Sequence, residues 1–424
     1  MAEAGWDVDL VRSKFPALAR QQDGQPVAFF DGPAGSQVPQ SVADAVSHYL
    51  LNTNANRGAA HATARESDAL LENAHQVVAD FLGTPDPATV CFGGNMTTMT
   101  LAASRAIAQQ WRAGDEIIVS QLDHDSNVTP WVLAARDAGV NVHHISLKPD
   151  DWSLDIDDFR SKLSSKTKLV AVGYASNATG TINPVGEIIA AAKAVGALTY
   201  IDSVHYAPHR RINVKELQCD FLACSAYKFF GPHVGILYGR RELLETIRPY
   251  KLRPSTDALP GKWMTGTQNH EGIVGVAAAI EYLTSLDASA DEDHNTCADS
   301  TASERVAKLD RVFSRIRDYE TALSLRFLAG VSSVSGLRIY GITNVDEVDD
   351  RVPTFSMTSD RHTPQQLAKR LAEQGVFAWA GNHYALPFTE AAGLEPSGTL
   401  RIGALHYNSM QEIDRVVDCL RALL

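Results

Sequence analysis

Cysteine is scarce in this chain and has no pattern. Cys91, Cys219, Cys224, Cys297 and Cys419 are odd in number and scattered, which argues against a disulfide framework and predicts reduced thiols in a cytoplasmic setting. Cys219 and Cys224 alone do not make a zinc site, which takes four ligands, and no metal is expected. Long apolar runs are also missing. The longest candidate, 188–201, contains Lys193 and breaks at Gly196, so no membrane span is expected. Glu3, Asp7 and Asp9 precede any apolar run, unlike a signal peptide. Positive charge is in deficit: 38 Lys and Arg against 50 Asp and Glu give −12. That balance speaks against nucleic-acid or anionic-membrane partners, though a local anion pocket stays open. There is no Walker or dinucleotide glycine pattern, no internal repeat and no low-complexity tract.

What is present fits an ordinary globular protein: 424 residues, 45% hydrophobic and 21% charged, enough for a large and a smaller domain. Strand-like runs at 89–92, 116–120, 140–146, 168–175, 198–202, 221–225 and 235–238 alternate, in the earlier part, with amphipathic segments near 97–110, 128–138, 156–164 and 185–195. This predicts an α/β fold with a mainly parallel seven-stranded sheet covered on both faces. The polar, acidic stretch 286–304 reads as a solvated connection. Beyond it, strands at 337–340, 354–357, 376–379 and 399–403 and capped helices starting at Thr363 and Ser409 predict a smaller α+β unit. The expected division is an N-terminal segment 1–30 packing with the small domain, a large domain 31–285 and a small domain 286–424.

Chemistry-bearing residues gather at the predicted strand ends, where open α/β sheets bind ligands. Gly93-Gly94-Asn95-Met96-Thr97 opens a helix and suits a phosphate, although such turns are common. His124, past the second strand, could stack on a flat ring and handle protons, or be structural. Asn177 could donate to a phenolate, or simply turn the chain. Asp202 could face a pyridinium, or cap a helix. Ser225-Ala226-Tyr227-Lys228 places a lysine before two Phe and Gly-Pro, where burial would lower its pKa and favour an imine; a snorkelling surface lysine is the plain alternative. In this order the five predict a pyridoxal 5′-phosphate site with Lys228 as the covalent anchor.

Phe29-Phe30-Asp31-Gly32-Pro33-Ala34, Asn56-Arg57-Gly58, Ser176 to Pro184, Ser225 to Lys228, Gly266-Thr267-Gln268-Asn269, Thr399-Leu400-Arg401 and His406-Tyr407-Asn408 together resemble the class-V branch of fold-type I pyridoxal-phosphate enzymes, the cysteine desulfurase and selenocysteine lyase group. The resemblance implies catalytic roles for Lys228, His124 and Asp202. It implies that Asn95, Met96, Thr97, Ser225 and Tyr227 hold the phosphate end, with Asn177 and His205 near the ring. Gly266 and Thr267 would reach the phosphate of a neighbouring subunit, which implies a homodimer with composite sites. Arg57, Asn177, His383 and Arg401 would contact an amino-acid substrate, Arg401 by a bidentate fork on the carboxylate.

One departure matters most. Desulfurases of this group carry a nucleophilic cysteine in a Gly-His-His-Cys-like loop; here the loop reads Ala380-Gly381-Asn382-His383-Tyr384-Ala385. Tyr384 cannot form a persulfide, Trp379 replaces an arginine of that loop, and Tyr227 stands where a histidine is usual. The expected enzyme lacks the persulfide cysteine and acts on a small-molecule α-amino acid, by β-elimination of the C–S lyase kind. Transamination stays open, as does epimerisation with Tyr384 as a second acid–base group. So do desulfuration by a cysteine outside the loop, such as Cys297 or Cys419, and cofactor binding without turnover.

Overall fold

The computed structural model describes residues 6–287 and 302–424. Most of the acidic connection and Cys297 therefore lie outside the described residues. After α1 (Gln40–His48) and α2 (Ala62–Leu82), the chain alternates β1 (Val90–Gly93), α3 (Met96–Ile107), β2 (Glu116–Ser120), α4 (Thr129–Ala138), β3 (Asn141–Ile145), β4 (Thr167–Gly173), α5 (Val185–Ala194), β5 (Leu198–Asp202), β6 (Phe221–Ser225) and β7 (Gly235–Gly239). These strands form one seven-stranded sheet in the order β1-β7-β6-β5-β4-β2-β3. All neighbours are parallel except around β7, which runs antiparallel to both β1 and β6. The link 226–234 explains the reversal, since a parallel crossover takes about a dozen residues or more.

The apolar runs are nearly continuous because both sheet faces are buried. Along each strand, side chains alternate between two cores. Ile118, Val170, Val172, Ile201 and Leu222 join α2, α5 and α6 (His270–Thr284). Ile117, Leu169, Tyr200 and Phe221 join α3 and α4 on the opposite face. Such a two-sided core leaves ligands only the sheet's edge, at the carboxyl ends of β2, β4, β5 and β6.

The long helix α7 (Ala302–Val331) leads to β8 (Leu337–Tyr340), β9 (Thr354–Ser359), α8 (Pro364–Glu373), β10 (Trp379–Gly381), β11 (Thr399–Gly403) and α9 (Met410–Leu423). The four strands make an antiparallel sheet ordered β8-β9-β11-β10. Both helix starts expected here carry full capping boxes, Thr363 with Gln366 and Ser409 with Glu412. The single strand expected at 376–379 is two. Val376–Phe377 pairs in parallel with Ala28–Phe29, whereas Trp379–Gly381 pairs with β11. The first partner lies at the other end of the chain, so no local pattern signals the break. Trp6 Nε1 also donates to the His406 carbonyl, tying the N-terminal segment to this second unit.

Candidate active site

The carboxyl ends of β5 and β6 place Asp202 and Lys228 on a cavity of about 790 Å³, within the range of small-molecule sites. Lys228 ends a single 3₁₀ turn, Ala226–Lys228, directly after β6. Its Nζ donates to the Pro33 carbonyl and lies 4.7 Å from the Tyr227 ring centre. Burial, and then the positive charge of Arg401, lower the lysine to about 7, against the attraction of Asp202 and Asp31. Asp202 is pushed up to about 7, chiefly by burial, although the Val204 amide donates to it at 2.8 Å. Burial disfavours the Asp202 carboxylate's charge, so a cation brought into this cavity would find a ready partner there.

On one side, Asn95 caps α3 by accepting from the Thr98 amide at 2.8 Å. The Met96 amide donates to Ser225 Oγ at 2.9 Å, so the helix start is pinned to the end of β6. Asn95, Met96 and Thr97 all line the cavity, giving an anion-favouring wall. His124 follows β2. Its Nδ1 accepts from the Ser126 amide at 3.1 Å, and burial lowers it to about 4. The ring is therefore neutral, with its proton on Nε2. His205, three residues past Asp202, lines the same cavity with Nε2 3.0 Å from Thr354 Oγ1; burial first, then nearby His209, Arg401 and Lys228, hold it well below the usual range. Tyr227 stacks on His233 at 4.9 Å.

The opposite wall comes from the antiparallel sheet. Arg401 on β11 is buried, and its Nη1 donates to the Asn177 carbonyl at 2.8 Å. The Asn177 side-chain amide donates in turn to the His383 carbonyl at 2.8 Å. Burial lowers Arg401 to about 9, partly offset by Asp31 and Tyr227. Among the described residues no carboxylate forms an ion pair with this guanidinium, and Asn177 Oδ1 and His383 Nδ1 are buried without a hydrogen-bond partner. A buried fork lacking a carboxylate is suited to receive one. Tyr384 stacks on His124 at 5.4 Å and 18°, and its carbonyl accepts from the Asp125 amide at 2.6 Å. His383 and Tyr384 both have φ of +57°, a costly backbone for non-glycine residues that the surrounding contacts hold in place.

Three expected site residues lie elsewhere within one chain. Arg57, Gly266 and Thr267 line a separate cavity of about 410 Å³ together with His270, and Arg57 Nε donates to Asp68 at 2.9 Å. Cys91, Cys219, Cys224 and Cys419 are all buried, and none lines the first cavity. Burial pushes the Cys91 and Cys219 thiols up to about 12, which keeps them from acting as thiolates.

Sequence reasoning missed Asp123 and Pro33. Asp123 lines the cavity and is raised to about 6 by burial. It accepts from Ser120 Oγ at 2.6 Å, Asn127 at 2.7 Å and the Gly173 amide at 2.9 Å. A Ser-x-x-Asp turn directly after a strand was the signal available. Pro33 contributes only a backbone oxygen, for which side-chain chemistry gives no sign.

The sequence model described as "Aminotransferase class-V" matches residues 28–313 and 311–416. A probable cysteine desulfurase of Vibrio cholerae is 32% identical over 97% of this chain and 97% of its own. One from Streptomyces coelicolor is 33% identical over 97% and 96%. Among solved structures, the apo form of a cysteine desulfurase from Thermococcus onnurineus superposes with TM-score 0.85 at 27% identity, covering 98% and 97% of the two chains. The cysteine desulfurase CsdA of Escherichia coli gives 0.81 at 26% identity, covering 99% and 98%.

Proposed function

The chain belongs to the class-V aminotransferase family of pyridoxal-phosphate-dependent enzymes, and from that premise we propose that it cleaves a β-substituent from a small-molecule α-amino acid. The residues fit the cofactor: a buried amine at Lys228, a buried carboxylate at Asp202, a helix start at Asn95–Thr97 and the unpartnered Asn177 Oδ1 border one space. Lys228 would anchor the cofactor, Asp202 would face its ring nitrogen, and His124 would stack on the ring. Asn177 and His205 would lie near its oxygen, and Asn95, Met96, Thr97, Ser225 and Tyr227 would hold its phosphate. When bound, the cofactor supplies an electron sink for charge developing at the substrate α-carbon.

The chain's own residues do the rest. Arg401 binds the substrate carboxylate, and its orientation is held by the Asn177 carbonyl. Asn177 and His383 flank that carboxylate. Burial and Arg401 lower the Lys228 amine to about 7, which makes its neutral form accessible at physiological pH, so Nζ can accept the α-proton. Tyr384 stacks on His124 at the cavity mouth, which favours a role in shaping the site.

The observation that carries an amino-acid substrate is the buried Arg401 without a carboxylate partner. Against sulfur relay stands the position of every described thiol, buried and away from the cavity, although the relatives are named cysteine desulfurases. We further propose a cytoplasmic homodimer. Val38, Val42, Val46, Leu50, Leu51 and Pro232 form an apolar groove of about 420 Å³. Pairing through it would let Arg57, Gly266 and Thr267 serve a partner's site.

The test is to incubate the holoprotein with β-chloroalanine and assay pyruvate. Pyruvate formation lost in Lys228→Ala supports elimination. A D-amino acid or a transaminated cofactor without pyruvate would replace it by epimerisation or transamination. Sulfide release from cysteine that vanishes in a Cys297→Ala/Cys419→Ala variant would establish desulfuration by a cysteine outside the loop.

A further inference from the structure

Two aromatic side chains stand at the cavity mouth with no role in the chemistry above. Trp379 is 54% exposed and Tyr384 is 72% exposed, unusual for rings of this size beside a binding cavity. Each is placed by a different element. Trp379 on β10 is directly opposite Arg401 on β11 in an antiparallel register, and residues opposite one another project from the same sheet face. The indole therefore stands beside the guanidinium that would take the substrate carboxylate. Tyr384 is fixed from the other side. Its ring stacks on His124, its amide is held by Asn382 Oδ1 at 3.1 Å, and its carbonyl is held by Asp125. Asp125 itself accepts from Thr129 Oγ1 at 2.8 Å, which occupies an acid at this mouth. Leu101 and Pro130 complete the apolar edge.

A substrate with its carboxylate on Arg401 and its amine toward Lys228 would direct a long side chain toward the part of the same cavity that these rings line. Free cysteine is too short to use them. We propose that Trp379 and Tyr384 form a subsite for the group carried on sulfur, and that the substrates are S-substituted cysteines with an aryl or bulky alkyl substituent. This rests on the β-elimination reading of the same site. The overall reaction balances without an oxidant. The α-proton leaves for Lys228 Nζ, the Cβ–S bond breaks with its electron pair going to sulfur, and the thiol departs protonated. Water is consumed, and the three-carbon remainder is released as pyruvate and ammonium.

The experiment compares kcat/KM of the holoenzyme for S-benzylcysteine, S-methylcysteine, cysteine and β-chloroalanine, in the wild type, Trp379→Ala and Tyr384→Ala. Binding is read independently by calorimetry with S-benzyl-α-methylcysteine, which has no α-proton to lose, against α-methylcysteine. The wild type should prefer S-benzylcysteine to cysteine by about 10- to 100-fold. Each alanine variant should reduce the ratio of S-benzylcysteine to β-chloroalanine turnover, and the calorimetric preference, by about 10-fold. Pyruvate from β-chloroalanine with no preference for the benzyl compound, or a preference untouched by either variant, overturns the subsite and leaves the lyase reading standing. No pyruvate from any compound overturns both. A change of oligomeric state in Trp379→Ala without a change in the ratio would assign the indole to an interface instead.

Discussion

A lysine amine brought to about 7 changes charge across the pH range in which the enzyme would work. The proton-accepting form is the neutral amine, which is free only while substrate is bound, so kcat should rise with pH through about 7 on the acid side and level off above it. Arg401 is the second cause of that lowering, after burial. Arg401→Met should therefore move the acid limb to higher pH as well as raise KM by about 10- to 100-fold through loss of charge-assisted bonds to the carboxylate. A limb that stays in place would mean that burial alone sets the lysine. Lys228→Ala should lower kcat by about 10²- to 10⁴-fold, read by pyruvate release. At this scale the sequence was informative wherever a side chain carries chemistry at a strand end, as with Asp202, His124 and Lys228. It was silent where a contact joins distant segments. Thr354 meeting His205 is a contact between a turn and a strand of the other sheet, and Trp379 lying opposite Arg401 is a product of strand register; periodicity encodes neither.

Between elements, the loop carrying Asn177 is fixed by a buried cation. Arg351 donates to the carbonyls of Thr179, Ile342, Val352 and Thr354 and lies 4.0 Å from the Phe355 ring centre. The loop can approach so closely because Gly180, at φ +79°, has no side chain; a Cβ there would overlap the Thr354 carbonyl and lie 2.8 Å from that of Val352. Gly180→Ala should destabilise the fold by about 1–3 kcal/mol, seen as a lower denaturant midpoint with an unchanged slope. An unaltered midpoint would show that the loop is free to move off β9. The elements themselves were largely readable, because two-sided burial makes the strands apolar and helical periodicity separates the early ones. The antiparallel β7 and the divided strand at 376–381 were not, since their partners are decided by link length and by residues at the far end of the chain.

For the whole molecule, the separation of Arg57, Gly266 and Thr267 from the main cavity is the feature that a dimer would resolve. Leu51 is 80% exposed on the apolar groove, more than an isolated chain would favour for a patch of this kind. Sedimentation should give a species of about twice the chain mass, and Leu51→Glu should shift it toward monomer while weakening cofactor retention. A monomeric wild type with full cofactor content would remove the need for a partner. The expectations for catalysis depend on which side chain holds the cofactor. Borohydride reduction of the holoprotein followed by peptide mapping tests that directly: a pyridoxyl mass on Lys228 is the predicted result, and its absence, or its appearance on another lysine, would contradict the account.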